Sequence, residues 1–224
     1  MLQRFFDILF SALALLVLSP LLLIVMVILK FTGEGEIFYI QPRVGEDGKI
    51  FNLLKFATML KDSPNMGTAT VTIKNDPRVL PFGKFLRKTK INELPQLVNI
   101  LKGDMSLIGP RPQTKRCFLA FPKSVQESIV KVKPGLSGIG SIVFRDEETM
   151  LDNPAIDRLL FYDDIIAPYK GELEKWYIKH RDIFTYFALI FSTIWVVLKP
   201  QSKIHKRIFA DLPEVSNSQL KRYI

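Results

Sequence analysis

Residues 8–29 are 22 consecutive uncharged, mainly apolar residues, bounded by Asp7 and Lys30. That length matches the roughly 20 residues an α-helix needs to cross the hydrocarbon core of a bilayer. A cleaved secretory leader fits less well. Its apolar core is shorter and ends at a small-residue cleavage site, which Lys30-Phe31-Thr32 does not offer. Near the middle of the run stands Ser19-Pro20. Proline removes an amide donor and clashes with the preceding turn, so a kink or break is expected there. A freed carbonyl is expensive in lipid, and the Ser19 hydroxyl is a local partner for it. Two topologies follow: a kinked helix that crosses the bilayer, or a broken helix that dips into one leaflet and returns to the same face. Arg4 and Lys30 put one basic residue on each side, which leaves the positive-inside rule undecided.

The whole chain has 224 residues, 48% apolar and 24% charged, enough for one globular domain beside the apolar segment. A single cysteine, Cys117, excludes an internal disulfide framework and a cysteine-rich zinc site. With only His180 and His205 besides, any metal is expected to be a hard cation on carboxylates. The net charge of +9 is uneven: residues 84–116 hold eight basic and two acidic side chains, and residues 199–224 hold six and two. Such clusters suit phosphate groups, a membrane surface or nucleic acid, although each also reads as a solvated face. Nothing resembles a DNA- or RNA-reading motif, so nucleic acid is not an expected partner.

Beyond Gly33 the pattern is that of a soluble domain. Short strands are expected over 36–39 and 50–59, with a Gly/Pro turn over 41–48 between them and a polar loop over 62–70. Leu94, Leu97, Val98 and Leu101 have helical spacing, with Asn92 as the expected N-cap, Pro95 in the first turn and Gly103 as the stop. Residues 106–112 read as a stiff, proline-bracketed loop.

Three features suggest chemistry. Asn92-Glu93 stands at an expected helix start, where the dipole favours negative charge and binds phosphate. Pro110 and Pro112 fix the backbone around Arg111, and a preorganised guanidinium suits bidentate phosphate binding. Lys55, Arg78 and Arg87 are further cations that would converge on a diphosphate. Taken singly, each has a plain alternative: a first-turn carboxylate, a turn and solvated basic residues.

Taken together they resemble a known family. Gln3-Arg4-Phe5-Phe6-Asp7, Ser19-Pro20, Gln41-Pro42-Arg43-Val44-Gly45, Lys55-Phe56-Ala57-Thr58-Met59 and Asp76-Pro77-Arg78-Val79 belong to the pattern. So do Asn92-Glu93-Leu94-Pro95-Gln96-Leu97, Gly103-Asp104-Met105-Ser106-Leu107-Ile108-Gly109-Pro110-Arg111-Pro112 and Lys133-Pro134-Gly135-Leu136-Ser137-Gly138. Over residues 1–200 the chain resembles the monotopic phosphoglycosyl transferases, the initiating sugar-phosphate transferases of bacterial polysaccharide and glycoconjugate assembly.

The resemblance implies an α+β architecture. Its parts are a re-entrant membrane helix over 1–32 that breaks at Ser19-Pro20, a small cytosolic α/β domain with interfacial amphipathic helices over 33–200, and a basic tail over 201–224. It implies transfer of a sugar phosphate from a UDP-sugar to a polyprenyl phosphate with release of UMP, at the cytoplasmic face of the inner membrane. Mg²⁺ is the implied cofactor. A homodimer is a further expected partner. The family uses an Asp-Glu dyad, in which Asp attacks the sugar-bearing phosphate and Glu helps to hold the metal. Glu93 and Asn92 take the dyad positions here, Glu93 being the metal residue, with Lys55, Arg78, Arg87, Pro110, Arg111 and Pro112 expected around the phosphates.

The departure from the pattern falls at the nucleophile. Asn92 stands where the dyad has Asp, and a carboxamide is a poor nucleophile with no charge for a metal. Direct transfer to the lipid phosphate, Glu93 as nucleophile or base, a substitute carboxylate (Asp76, Asp104 or Asp146), or an inactive lipid- or partner-binding homologue would each account for it. Ala57 and Gln3 also replace residues that are usually basic in the family. Towards the C-terminus, Arg145 is a candidate substrate contact or a partner of Asp146 or Glu147. A helix is expected over 159–179 with an interruption at Pro168. Residues 183–198 are 16 uncharged residues, short for a crossing and suited to a helix on the membrane surface, a second crossing being the rival. The tail is expected to lie near anionic lipid or to be disordered.

Overall fold

The computed structural model describes residues 1–66, 72, 75–153 and 156–224. The apolar run forms α1, Leu2–Phe31. A hairpin follows, β1 (Phe38–Val44) antiparallel to β2 (Ile50–Phe56). Next come α2 (Pro81–Lys88), a 3₁₀ turn (Ile91–Glu93), α3 (Gln96–Lys102) and β3 (Ser106–Ile108). After α4 (Lys115–Leu119) and α5 (Lys123–Ile129), β4 (Gly135–Ser137) pairs in parallel with β3. The rest is helical: α6 (Ile139–Val143), α7 (Glu147–Met150), α8 (Arg158–Phe161), a π turn (Tyr162–Ile166), α9 (Ala167–Lys179), α10 (Ile183–Leu198), α11 (Ile204–Ile208) and α12 (Ser218–Lys221).

The helix α1 is not broken at Ser19-Pro20; it runs through Pro20. Pro20 has no N–H for the Leu16 carbonyl, and the Ser19 hydroxyl donates to that carbonyl instead, at 2.8 Å. Parts of one face of α1 sit on the domain, in its first and its second half. Asp7 and Ser11 are buried near one end, Val25 and Leu29 near the other, with Ala14, Leu15, Leu22 and Met26 partly covered between them. The opposite face leaves Phe5, Leu9, Leu13, Leu16, Ile24, Val27 and Phe31 exposed.

The first end is pinned by polar contacts. Asp7 Oδ1 accepts from the Ser106 hydroxyl (3.0 Å), the Leu107 amide (2.9 Å) and the Tyr186 hydroxyl (2.9 Å). Arg4 donates to the carbonyls of Ile100 and Leu101, where the last turn of α3 leaves carbonyls unpaired.

The main core gathers around Ile108, Ile139, Ile166, Leu173, Tyr177, Tyr186 and Leu189. It includes Phe209, Leu220 and Ile224, so the basic tail, expected near anionic lipid or disordered, is anchored to the domain by these side chains. Its basic residues alternate with these apolar anchors, which charge counting does not register.

Several expected boundaries move. Gln41–Val44 belong to β1, and the turn is confined to Gly45–Lys49. Ser106–Ile108 is strand because β4 supplies its partner from a distance of about 30 residues in sequence. The helix expected at Asn92–Glu93 starts at Gln96, with Pro95 at its N-cap, and ends at Gly103 in the left-handed region (φ 96°) as expected. Before Pro168 the chain stays helical by widening into the π turn, which accommodates the missing N–H. The loop expected over 62–70 lies, from residue 67 on, outside the described residues.

Candidate active site

Glu93 stands at the end of the 3₁₀ turn, and Arg111 in the loop after β3. Arg111 Nη2 donates to Glu93 Oε1 at 2.9 Å. Glu93 is mostly covered and Arg111 about a third exposed, so the pair is well shielded yet reachable. Burial alone would raise the Glu93 pKa. The positive charges of Arg111, Lys55 and Lys90, with the hydrogen bond from Arg111, overcome this and hold the carboxylate ionised. Glu93 in turn holds Arg111 firmly charged.

Lys55 comes from β2, a strand whose hairpin partner carries Arg43. Burial pushes the Lys55 ammonium down to about 7, Glu93 opposes this, and Arg43, Arg111 and Arg87 add to it. Arg43 is lowered to about 10 by burial and then by Arg111. The result is Glu93 held among several cations, which outnumber the nearby carboxylates and leave positive charge for an anionic ligand.

The loop 109–112 is held on both sides. Gly109 donates to the Ser137 carbonyl at 2.9 Å, and the Pro110 carbonyl accepts from Gly135 at 2.8 Å. The Pro112 carbonyl accepts from Arg43 Nη1 at 2.9 Å. Gly109 and Gly135 touch backbone to backbone, and a Cβ on Gly135 would lie 2.1 Å from the Gly109 nitrogen. Behind the loop, Glu174 of α9 accepts from the Arg111 amide at 3.3 Å. Burial pushes its carboxyl up to about 7. Lys170, one turn earlier on α9, is buried and pairs with Glu147.

The expected residues divide into two groups. Glu93, Lys55, Arg111, Pro110 and Pro112 come together, and Arg87 joins them by its charge while bonding Glu148. Arg78 does not join. Its guanidinium forms a buried bidentate pair with Asp76, at 2.9 and 2.7 Å, and also donates to the Ser63 and Met66 carbonyls. The Arg78 donors are thus spent on tying down a loop, and Asp76 is equally committed as a substitute carboxylate.

Asp104 accepts from Asn99 at the end of α3, and Asp146 is exposed. The further carboxylate whose charge reaches Arg111 is Glu147. Asn92 is not a helix cap: it is buried within the 3₁₀ turn, and its Oδ1 has no hydrogen-bond partner. Arg43, Lys90, Glu147, Lys170 and Glu174 were not anticipated as site residues. The α9 pair is foreshadowed only by charged residues at helical spacing with Tyr177 and Leu173.

Among the described residues no cluster of three or more His, Cys, Asp or Glu side chains is placed to hold a metal. Glu93 and the unpartnered Asn92 Oδ1 are hard oxygen donors, which suits Mg²⁺ arriving with substrate phosphates rather than in a protein cage.

Comparison with known proteins decides the family. Residues 1–200 match the model of the family described as bacterial sugar transferase. This chain belongs to that family. Among its relatives is the exopolysaccharide production protein ExoY of Rhizobium meliloti (strain 1021), 33% identical over 208 residues, 87% of this chain and 84% of the relative. The undecaprenyl-phosphate glucose phosphotransferase of Komagataeibacter xylinus is 35% identical over 86% of this chain but 35% of its own length. The undecaprenyl-phosphate galactose phosphotransferase of Salmonella typhimurium (strain LT2) is 32% identical over 88% and 40%. The chain thus spans well under half of these two longer relatives. The paired Glu93 and Arg111 lie within the residues that match the family.

Proposed function

We propose that this chain transfers a sugar 1-phosphate from a UDP-sugar to a polyprenyl phosphate, releasing UMP, at the cytoplasmic face of the bacterial inner membrane. The observation that carries the reading is the Glu93–Arg111 pair set among Lys55, Lys90, Arg87 and Arg43. Both substrates are anionic, and phosphoryl transfer depends chiefly on positioning and charge neutralisation. Two of the three relatives described above are named for undecaprenyl phosphate, which supports the lipid acceptor.

The residues supply a route that does not need a protein nucleophile at position 92. The acceptor is itself a phosphate oxyanion. Its oxygen attacks the β-phosphorus of the UDP-sugar, a new P–O–P bond forms, and the bond from that phosphorus to the bridging oxygen breaks. The electron pair leaves with UMP. Arg111, Lys55 and Arg87 balance the charge that develops. Glu93 keeps Arg111 oriented, and its low pKa makes it a weak base. Mg²⁺, when bound to the diphosphate, would be held by Glu93 and would supply further charge neutralisation.

Both halves of α1 pack on the same domain, which supports a helix whose two ends stay on one side of the bilayer. The exposed stripe on α1 continues onto α10, where Phe184, Phe187, Phe191, Ile194 and Leu198 are exposed. The two helices meet where Phe6 and Phe187 pack edge to face at 5.0 Å. Together they form an apolar surface suited to lie in the membrane beside the site.

The test is UMP release by the detergent-solubilised protein, with a panel of UDP-sugars, with and without polyprenyl phosphate, and with Mg²⁺ or a chelator. Release that needs lipid and metal and is lost in Glu93→Gln is the expected result. Absence of release from every donor, with UDP-sugar still bound, would sink the reading in favour of an inactive binding homologue, for which Asn92 is the one supporting feature.

A further inference from the structure

Of the three residues Pro110-Arg111-Pro112, only Arg111 has a backbone N–H. That amide is donated to Glu174 Oε1 at 3.3 Å. The carbonyls on either side are taken by Gly135 and by Arg43. The Glu174 contact is therefore the remaining backbone restraint at the residue whose guanidinium meets Glu93.

Three further observations show that the carboxyl is built into this place. Glu174 is 1% exposed. Gly140 of α6 lies against it, and a Cβ there would come 2.4 Å from Oε1. Its second oxygen, Oε2, is buried without a partner. Packing alone would favour a leucine at such a position, since a buried polar atom left unpaired is costly. The charged and titratable groups facing Glu174 are Arg111 from the loop, Lys170 and Tyr177 on its own helix, and Glu147 of α7 through its pair with Lys170.

We infer that Glu174 is a positioning residue for donor binding: through the Arg111 amide it fixes the loop so that the Arg111 guanidinium meets the diphosphate of the UDP-sugar. The inference rests on the reading of the site as a UDP-sugar site. It assigns Glu174 no contact with substrate, so its effect is confined to what Arg111 does. Glutamine keeps an oxygen acceptor at the same reach, whereas alanine leaves the Arg111 amide orphaned.

The experiment compares wild type, Glu174→Gln, Glu174→Ala and Gly140→Ala by steady-state kinetics and by calorimetric titration with UDP. In Glu174→Ala, KM for the UDP-sugar and Kd for UDP should rise roughly tenfold, the size of effect expected for an orphaned buried amide. KM for polyprenyl phosphate should stay as it is. Glu174→Gln should rescue most of the loss, and Gly140→Ala, which pushes on the same oxygen, should reproduce it. On an Arg111→Ala background, Glu174→Ala should add little, since both act through one contact.

Equal loss in Glu174→Gln and Glu174→Ala, or full additivity with Arg111→Ala, would overturn the inference, as would unchanged UDP affinity in all variants. If Glu174→Ala does not fold, Gly140→Ala and Glu174→Gln still decide. Wild type that binds UDP but turns over no donor would refute the transferase reading and leave this inference standing on the calorimetry. Wild type that binds no UDP would overturn both.

Discussion

The hydroxyl of Tyr186 donates to Asp7 Oδ1 at 2.9 Å, joining helices that lie 179 residues apart in sequence. The same oxygen receives Ser106 and Leu107, so one buried carboxylate oxygen ties α1, β3 and α10 together. The two helices with exposed apolar faces are thus fixed to the strand that leads directly into the Arg111 loop. Tyr186→Phe should cost about 1.5–3 kcal/mol, the range for one hydrogen bond to a charged group. Asp7→Ala orphans three donors and should cost more than Tyr186→Phe, with thermal unfolding in a constant detergent as the measurement. Equal stability of Asp7→Ala and wild type would show that the junction contributes nothing.

Much of this arrangement was legible in the sequence, and the misses have a common cause. The α10 boundaries, 183 and 198, and the Gly103 stop are local properties of apolar runs and of glycine, and both were read correctly. The convergence of Lys55, Glu93 and Arg111 came from the family resemblance, since nothing in their spacing brings a strand, a turn and a loop together. Arg78 stands apart from the others in a way the sequence does not reveal: a basic residue two positions from an aspartate is both a candidate anion ligand and a candidate ion pair, and only the fold shows its guanidinium paired with Asp76. Glu174 was missed because a charged residue in a helix ordinarily faces water.

The Glu93–Arg111 pair predicts unequal responses to conservative change. Arg111→Lys keeps the charge but loses the planar fork that meets both Glu93 and a phosphate. We expect kcat/KM for the donor to fall by about 10²–10³, comparable to removing a preorganised electrostatic contact. Lys55→Arg should be milder, because Lys55 acts on Glu93 through its charge rather than through a directed hydrogen bond. A larger loss in Lys55→Arg than in Arg111→Lys would contradict this ranking. Initial-rate kinetics with varied UDP-sugar settle it.

Asn92 predicts the kinetic order. Without a carboxylate at that position no covalent sugar-phosphate enzyme is expected to accumulate, and both substrates must be bound together. Double-reciprocal plots at several polyprenyl phosphate concentrations should intersect, giving sequential rather than ping-pong behaviour. Donor labelled in its sugar should leave no label on the protein after denaturation. Parallel plots with trapped label would show that another side chain serves as nucleophile, and Glu93 would be the first to examine.

The side on which the α1 ends lie can be read with single cysteines. Cys117 is the chain's one cysteine and is buried, so it gives little background labelling. Cysteines placed at Leu2 and at Thr32 flank the helix, and Leu2 is exposed. If both halves of α1 rest on one domain in the membrane as they do here, a membrane-impermeant maleimide should label both positions from the cytoplasmic side of inverted vesicles and neither from outside intact spheroplasts. Labelling of the two positions from opposite sides would establish a crossing helix and would require one end of α1 to leave the domain.

The Glu174 carboxyl also predicts how stability depends on pH. Burial raises its folded-state value to about 7, from an unfolded value of 4.5. A carboxyl raised on folding favours the folded state while it is protonated. That contribution is complete below the unfolded value and is lost as pH rises through about 7. Across that interval Glu174 should therefore cost the folded protein up to about 3 kcal/mol, taking 1.36 kcal/mol per pK unit. Glu174→Gln does not titrate, so its stability should fall less than wild type between pH 4.5 and 7, and it should be the more stable protein at neutral pH. Chemical denaturation at several pH values measures the difference. Identical pH slopes for the two proteins would mean that Glu174 is ionised in the folded state, and its neighbours Lys170 and Arg111 would then be compensating the buried charge.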